Sequence, residues 1–415
     1  MQTIDELVEA ADVRAARRVV RETDTDTLRH MAELVEIPAP PFGEEARGEY
    51  VLDRFRELGL HDVHRDEAGN VLGTLPGAAE PDAGPVMVAA HLDTVFDEQT
   101  DVRLRREGDR WCAPGISDNV RGLAAMLALA RGCTEAGVRT RRPLVLVASV
   151  GEEGIGDLRG VKHIFRSDGP WLHAAAFLAI DGAGMDRIID RGVGSRRYHI
   201  DVRGEGGHSW SDWGIANPVH AIGNAIAELM RLRLRHTPRT VLSVTRVGGG
   251  TSVNAVPQAA WLELDLRSES ERALARLDRR VQAIVRRAVG AAARRRRRGT
   301  AGLDLDVRSI GQRPAGRTRD ETLLLAAAAA TRAVGAEPEG TASSTDANVA
   351  MALGIPALCV GAGGRAGGMH TTDEWYTNER GPEGIERVLL IVLAAAGLAP
   401  SALATPPAPP NGRPG

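Results

Sequence analysis

Four short runs, Val86–Ala90, Leu144–Val150, Ala176–Ile180 and Ala357–Gly361, are apolar almost throughout and contain no charged residue. A strand with one wet face alternates apolar and polar residues, whereas a strand covered on both faces has no need to. Such runs predict a mostly parallel sheet flanked by helices, an α/β architecture. The segments between them agree. Asn119–Gly132 and Glu321–Val334 carry helical periodicity, and so does Thr25–Leu58 outside the loop IPAPPFGEE at Ile37–Glu45, where three prolines forbid a continuous helix.

One stretch departs from this rhythm. Arg197–Arg203 alternates as a strand, Asn217–Leu234 is helical with Pro218 near its start, and Thr240–Val247 and Gln258–Arg267 alternate again. Glu269–Arg296 then reads as a long helix and Leu303–Ile310 as a strand. The order β-α-β-β-α-β is the split pattern of a ferredoxin-like domain. Because the last apolar strand follows it, this domain is an insertion. The expected division is a discontinuous domain, 1–195 and 313–400, interrupted by 196–312, with a disordered Pro/Ala/Gly-rich tail at 401–415.

The 415 residues suffice for two buried cores, but with only 5 Phe, 6 Trp and 3 Tyr those cores must be built from Ala, Val and Leu. So few aromatics leave little for a base-stacking platform, and a net charge of −3 gives no field to draw in nucleic acid or an anionic membrane. The cations are nearly all arginine, Lys162 being the one lysine. The run Arg294–Arg298 reads either as an anion patch or as a helix C-terminus where cations complement the dipole. Cys112, Cys133 and Cys359 are odd in number and widely spaced, which points to a reducing compartment. MQTIDELVEAAD lacks the basic and apolar regions of a signal peptide, and the apolar runs Leu323–Ala330 and Val388–Ala396 fall short of the about 20 residues a membrane span needs. The expectation is a cytoplasmic protein with no membrane or nucleic-acid partner.

Ligands of open α/β sheets bind beyond the carboxyl ends of the strands. Here those ends carry His91 and Asp93 in HLDTVF, Glu152 and Glu153 in GEEG, and Asp181. Asp118 opens a helix in GISDNVRG, where it could also be a plain N-cap, and His370 follows the last strand through VGAGGRAGGMHTTDEW. Singly each is weak: an N-cap, a solvated acid, a strand-end histidine. Together they crowd anions at one rim, where they repel unless a divalent cation, or a pair, intervenes. Histidine nitrogen with carboxylate oxygen suits Zn²⁺, and Mn²⁺ or Co²⁺ would accept the same ligands.

With HLDTV, SDN, GEEG, GGHS, GGTSVNAVP and a late histidine after a glycine-rich loop, the chain resembles the dinuclear zinc exopeptidases and deacylases that include peptidase T, carboxypeptidase G, aminoacylase and succinyl-diaminopimelate desuccinylase. The resemblance runs from about Thr27 to Gly397. It implies that His91 and Asp181 hold one metal, Glu153 and His370 the other, and that Asp118 bridges them. It also implies that Asp93 orients the His91 ring, that Glu152 is the general base, and that the inserted domain is a dimerisation or lid domain. His208 in GEGGHSW, reaching in from a partner subunit, and Asn254 in TSVNAVP would meet the developing negative charge. Arg267 would grip a substrate carboxylate, a task a planar guanidinium suits; a surface arginine at a strand end is the alternative. Three anionic ligands against two Zn²⁺ leave one positive charge, which favours deprotonating a shared water.

Aspartate at position 181, GEEGIGDLRG and HTTDEWYT resemble the peptidase T-like branch, so the expected activity is aminopeptidase cleavage of di- and tripeptides. An N-acyl amino acid deacylase or carboxypeptidase-type amidohydrolase of the same family is the alternative. An inactive homologue acting as a dimeric binding module is a third reading, and the filled positions argue against it. The histidines His30, His61, His64, His163, His173, His199, His220 and His236 read as surface or helix-face residues. Trp210, Trp213, Trp375 and Tyr376 lie beside His208 and His370 in sequence and are candidates to line a substrate pocket.

Overall fold

The computed structural model describes residues 2–78 and 84–400; the tail 401–415, expected to be disordered, lies outside the described residues. Its centre is a nine-stranded, mostly parallel core sheet. The apolar runs are its middle: Leu144–Ser149, Val86–His91, Ala176–Ile180 and Ala357–Val360 lie side by side in that order, all parallel. Antiparallel strands extend it at both sides, Val71–Leu75 and His61–Arg65 beyond one and Arg187–Gly192 beyond the other.

Alternate residues of the central strands feed two separate cores. Val88, Leu146, Leu178 and Leu358 point to the helices Gly122–Glu135 and Gly381–Ala396, and Met87, Val145, Phe177 and Cys359 to the helices Arg159–Ile164 and Ala347–Ala352. Burial of both faces is the reason these strands carry no charge. Two helices that periodicity did not single out, Ile4–Glu9 and Ala11–Glu22, close the first of these layers. The helix Glu321–Ala333 starts where Asp320 accepts from Leu323 N at 2.8 Å, an N-cap.

The stretch with the different rhythm forms a four-stranded antiparallel sheet in the order Thr240–Gly249, Ala259–Ser268, Gly194–Arg203, Asp304–Arg313. The helices Pro218–Leu229 and Glu271–Arg294 cover one face over a core of their own. The first helix stops at Leu229 rather than Leu234. The strand opening this unit begins at Gly194, and the chain leaves it beside the same spot: a Cβ on Gly194 would meet Ala315 N at 2.5 Å. Arg296 folds back on Ala293 O at 2.8 Å, as a cation at a helix C-terminus does.

The expected helix Asn119–Gly132 is corrected at its start. Residues Ile116–Arg121 form a kinked turn in which Asp118 (φ −112°, ψ 91°) and Asn119 leave the helical region, and the α-helix begins only at Gly122. Asp118 therefore is not an N-cap. His30 is corrected too: it is buried in the helix Asp24–Val35, with Nδ1 2.6 Å from the Tyr50 hydroxyl. Tyr376 is fully buried in the first core and cannot line a pocket, whereas Trp210 and Trp213 are 86% and 76% exposed.

Candidate metal centre

The carboxyl ends of the central strands meet at one edge of the sheet. His91 ends its strand opposite Ser149, and the chain beyond Ser149 turns at once into Glu152 and Glu153. Asp181 follows the next strand, its N–H held by Val360 O at 3.0 Å. The kinked turn brings in Asp118, and His370 arrives on the last loop with a left-handed φ of 63°.

Asp118 is the centre of the arrangement. His91 Nε2 lies 3.0 Å from its Oδ1 and His370 Nε2 lies 3.0 Å from its Oδ2. His370 Nε2 is also 3.1 Å from Glu153 Oε1. Each oxygen of one carboxylate thus faces a different imidazole, the layout of a bridging ligand. Donor atoms of His91, Asp118 and Glu153 lie within 4.8 Å of one another. His91 Nε2 and Asp118 Oδ1 are buried and face each other, yet among the described residues neither finds a hydrogen-bond partner. Buried donor atoms this close with no hydrogen bond assigned to them fit a metal ion, and the His-plus-carboxylate set fits Zn²⁺.

The electrostatics show the same demand. Burial raises Asp181 to about 7, with the charge of Asp118 adding to it. Asp118 is itself held well below the usual carboxylate range: burial works against its charge, but His370 and His91 outweigh it. In turn the Asp118 and Glu153 carboxylates raise His370 to about 10. A cluster that draws protons onto imidazoles this strongly is one that a divalent cation would neutralise instead.

Asp93 acts somewhat differently from expectation. The nearest acceptor to His91 Nδ1 is the Asp93 main-chain oxygen at 3.0 Å, and the carboxylate stands at 3.6 Å. The carboxylate instead accepts from the N–H groups of Glu152 and Glu153 at 2.9 and 2.8 Å, so Asp93 ties the HLDT and GEEG loops together. Glu152 is 5% exposed, and burial pushes its carboxyl well above the ordinary range against the pull of Arg313.

The inserted unit carries the other expected residues. Gly207–His208 pairs with Ala255–Val256, and Ser209 N donates to Asn254 O at 3.0 Å, so His208 and Asn254 are neighbours. His208 is exposed, and its Nδ1 accepts from Trp210 N at 3.1 Å. Arg267 pairs with Asp265 at 2.7 Å. Among the described residues, the hydrogen bonds and ion pairs of these three all lie within the inserted unit.

Three residues went unnoticed in the sequence. Glu374, fully buried, accepts from the N–H groups of Gly115, Ser117 and Asp118 at 2.9, 2.8 and 3.0 Å and so shapes the turn that presents Asp118. Burial raises it to about 7 even so. Asp346 receives the Ser149 hydroxyl at 2.5 Å and, among the described residues, makes no cap hydrogen bond to the helix Ala347–Ala352 that it precedes. Arg313 donates to Glu152 Oε1 at 2.9 Å. The one available signal was Glu374, four residues after His370 in HTTDEW.

A carboxylate shared between two imidazoles at the crevice of an α/β sheet, beside a second buried glutamate, is a donor set that could hold a divalent metal. The chain belongs to the peptidase family M20/M25/M40, whose model matches residues 87–394. It is 28% identical over 263 residues to the cytosol non-specific dipeptidase of Escherichia coli (strain K12), covering 55% of this chain and 51% of that one. It is 28% identical over 251 residues to the succinyl-diaminopimelate desuccinylase of Corynebacterium glutamicum, covering 58% and 66%. The chain thus spans from about half to about two thirds of the length of these curated relatives. Among solved structures, aminopeptidase PepT from Bacillus cereus ATCC 10987 superposes with a TM-score of 0.70 at 21% identity, over 89% of this chain and 98% of that one, a likeness of fold.

Proposed function

We propose that the chain hydrolyses linear amide bonds with the help of two divalent metals, as an aminopeptidase of di- and tripeptides. The observation that carries this is Asp118, whose two oxygens each face a histidine across a buried cluster. His91 and Asp181 would hold one ion, Glu153 and His370 the other, with Asp118 between them. When bound, Zn²⁺, or Mn²⁺ or Co²⁺ in its place, supplies Lewis-acid polarisation of a carbonyl and acidifies a water.

The chain's own residues do the rest. Glu152, buried and raised in pKa, takes the proton of the attacking water and returns it to the leaving amine. Asp93 holds the backbone of Glu152 and Glu153 in register with His91. His208 and Asn254, neighbours on exposed loops, donate to the carbonyl oxygen as charge develops there. Arg267 takes a substrate carboxylate after exchanging it for Asp265. That His208 pairs locally among the described residues, with Trp210, Asp212 and Ala255, supports its acting on the centre of a second subunit, in a homodimer formed through the domain at 196–312. Three buried free cysteines, Cys112, Cys133 and Cys359, support a cytoplasmic location, and among the described residues no helix is long and apolar enough to cross a membrane.

Aspartate at 181 and the similarity to a dipeptidase favour peptides with a free amino terminus. The desuccinylase similarity favours a second reading, deacylation of N-acyl amino acids. The test is a screen of the Zn²⁺-loaded protein against free di- and tripeptides, N-blocked peptides and N-acyl amino acids, before and after phenanthroline. Cleavage confined to free amino termini, lost with chelation and regained with metal, is the expected result. Cleavage of N-acyl substrates alone establishes the second reading, and turnover indifferent to chelation removes both.

A further inference from the structure

The inserted unit joins the body through two adjacent segments, Ser195 pairing with Arg313 where the entering and leaving strands run side by side. Both segments press on one loop, Gly151–Asp157. From the entering strand Arg197 Nη1 donates to Gly154 O at 2.9 Å. From the leaving strand Gln312 N donates to both Asp157 oxygens, each at 2.9 Å. Arg313 Nη1 donates to Glu152 Oε1 at 2.9 Å and its Nη2 to Glu152 O.

The two neighbouring glutamates are tethered to different parts of the molecule. The Glu153 carboxylate faces His370 of the body. The Glu152 carboxylate is held by Arg313, at the root of the inserted unit, in a contact where the two residues are 5% and 4% exposed. Little water reaches such a pair, and a planar guanidinium gripping a side chain and its own main chain fixes orientation as well as distance.

We propose that Arg313 is a positioning residue that couples Glu152 to the setting of the inserted unit: the guanidinium is carried by the leaving strand, and the Glu152 carboxylate is aligned only when that strand sits as it does here. The proposal rests on the reading of Glu152 as general base.

The test uses the full-length, metal-loaded protein with Arg313→Met and Arg313→Lys. In Arg313→Met, kcat for the best peptide of the screen should fall by about tenfold or more with KM within about threefold and metal content unchanged, and Arg313→Lys should lie between it and the parent. Amide exchange across residues 151–157 should speed up about tenfold in Arg313→Met and less in Arg313→Lys. In a Glu152→Gln background, adding Arg313→Met should cost less than about threefold, because the effect passes through Glu152. A raised KM with kcat retained would make Arg313 a substrate anchor and overturn the proposal, as would unchanged loop exchange or a further full loss in the double variant. Should Arg313→Met not fold, Arg313→Lys carries the same readouts. Wild-type turnover by Glu152→Gln would remove the base reading instead, and is told apart because loop exchange in Arg313→Met would still rise.

Discussion

Glu152 and Glu374 are both buried acids beside the cluster, and their partners assign them different tasks. Glu152 is held by an arginine through one carboxylate oxygen and lies next in the chain to the metal-ligand candidate Glu153, so Glu152→Gln should keep the metal content of the parent while turnover falls by about 10²–10⁴-fold, the span of general acid–base catalysis; metal analysis and steady-state rates check this together. Glu374 has three backbone N–H donors and no exposure, so it works through the turn at Asp118. Glu374→Gln puts an amide NH₂ where an accepting oxygen stood, and Zn²⁺ affinity, read by competition with a chelating dye, should drop by about 10–100-fold; unchanged affinity would remove Glu374 from the support of the site. The metal-ligand candidates were legible in sequence because each sits directly after a charge-free strand or in a short motif. Glu374, Asp346 and Arg313 were not, because each is defined by a partner far along the chain: Ser117 for Glu374, Ser149 for Asp346, Glu152 for Arg313.

Between elements, the contact of the helices Asp24–Val35 and Glu45–Glu57 holds a titration that composition conceals. Tyr50 donates to Glu33, so His30 Nδ1 must donate to the Tyr50 hydroxyl 2.6 Å away. Burial, aided by Arg29 and Arg131, lowers His30 from 6.5 to about 4. The unfolded chain therefore takes up a proton near 6.5 that the folded chain refuses until about 4, and stability is lost as pH falls through that window. The full effect is about 3 kcal/mol. Urea midpoints measured from pH 7 to pH 4 should fall more steeply for the parent than for His30→Gln, and parallel slopes would show His30 to titrate normally. The strands legible in the sequence were of two kinds: those covered on both faces, which carry no charge, and those of the inserted unit, which alternate because one face is wet. The kinked turn at Ile116–Arg121 escaped because its shape is set by the Glu374 carboxylate, not by local propensity, and Ile4–Glu9 because six residues are too few to show a period; Ala11–Glu22 carries its signal openly, with Val13, Ala16 and Val20 at helical spacing.

At the scale of the whole molecule, the expected catalytic set is divided. His91, Asp118, Glu152, Glu153 and His370 gather on the body, while His208 and Asn254 sit together on the inserted unit with local contacts of their own. A twofold dimer reconciles this if each centre borrows its oxyanion donors from the other subunit. The arrangement makes a quantitative prediction. In such a dimer His208→Ala and Glu152→Gln proteins should each retain about 1% of the parental activity or less, but after mixing in equal amounts and exchange of subunits, half of the dimers are mixed, and in each of these one centre has Glu152 from one chain and His208 from the other. About a quarter of the parental activity should therefore return. If His208 instead serves the centre of its own chain, every centre in the mixture lacks one of the two residues, and none returns.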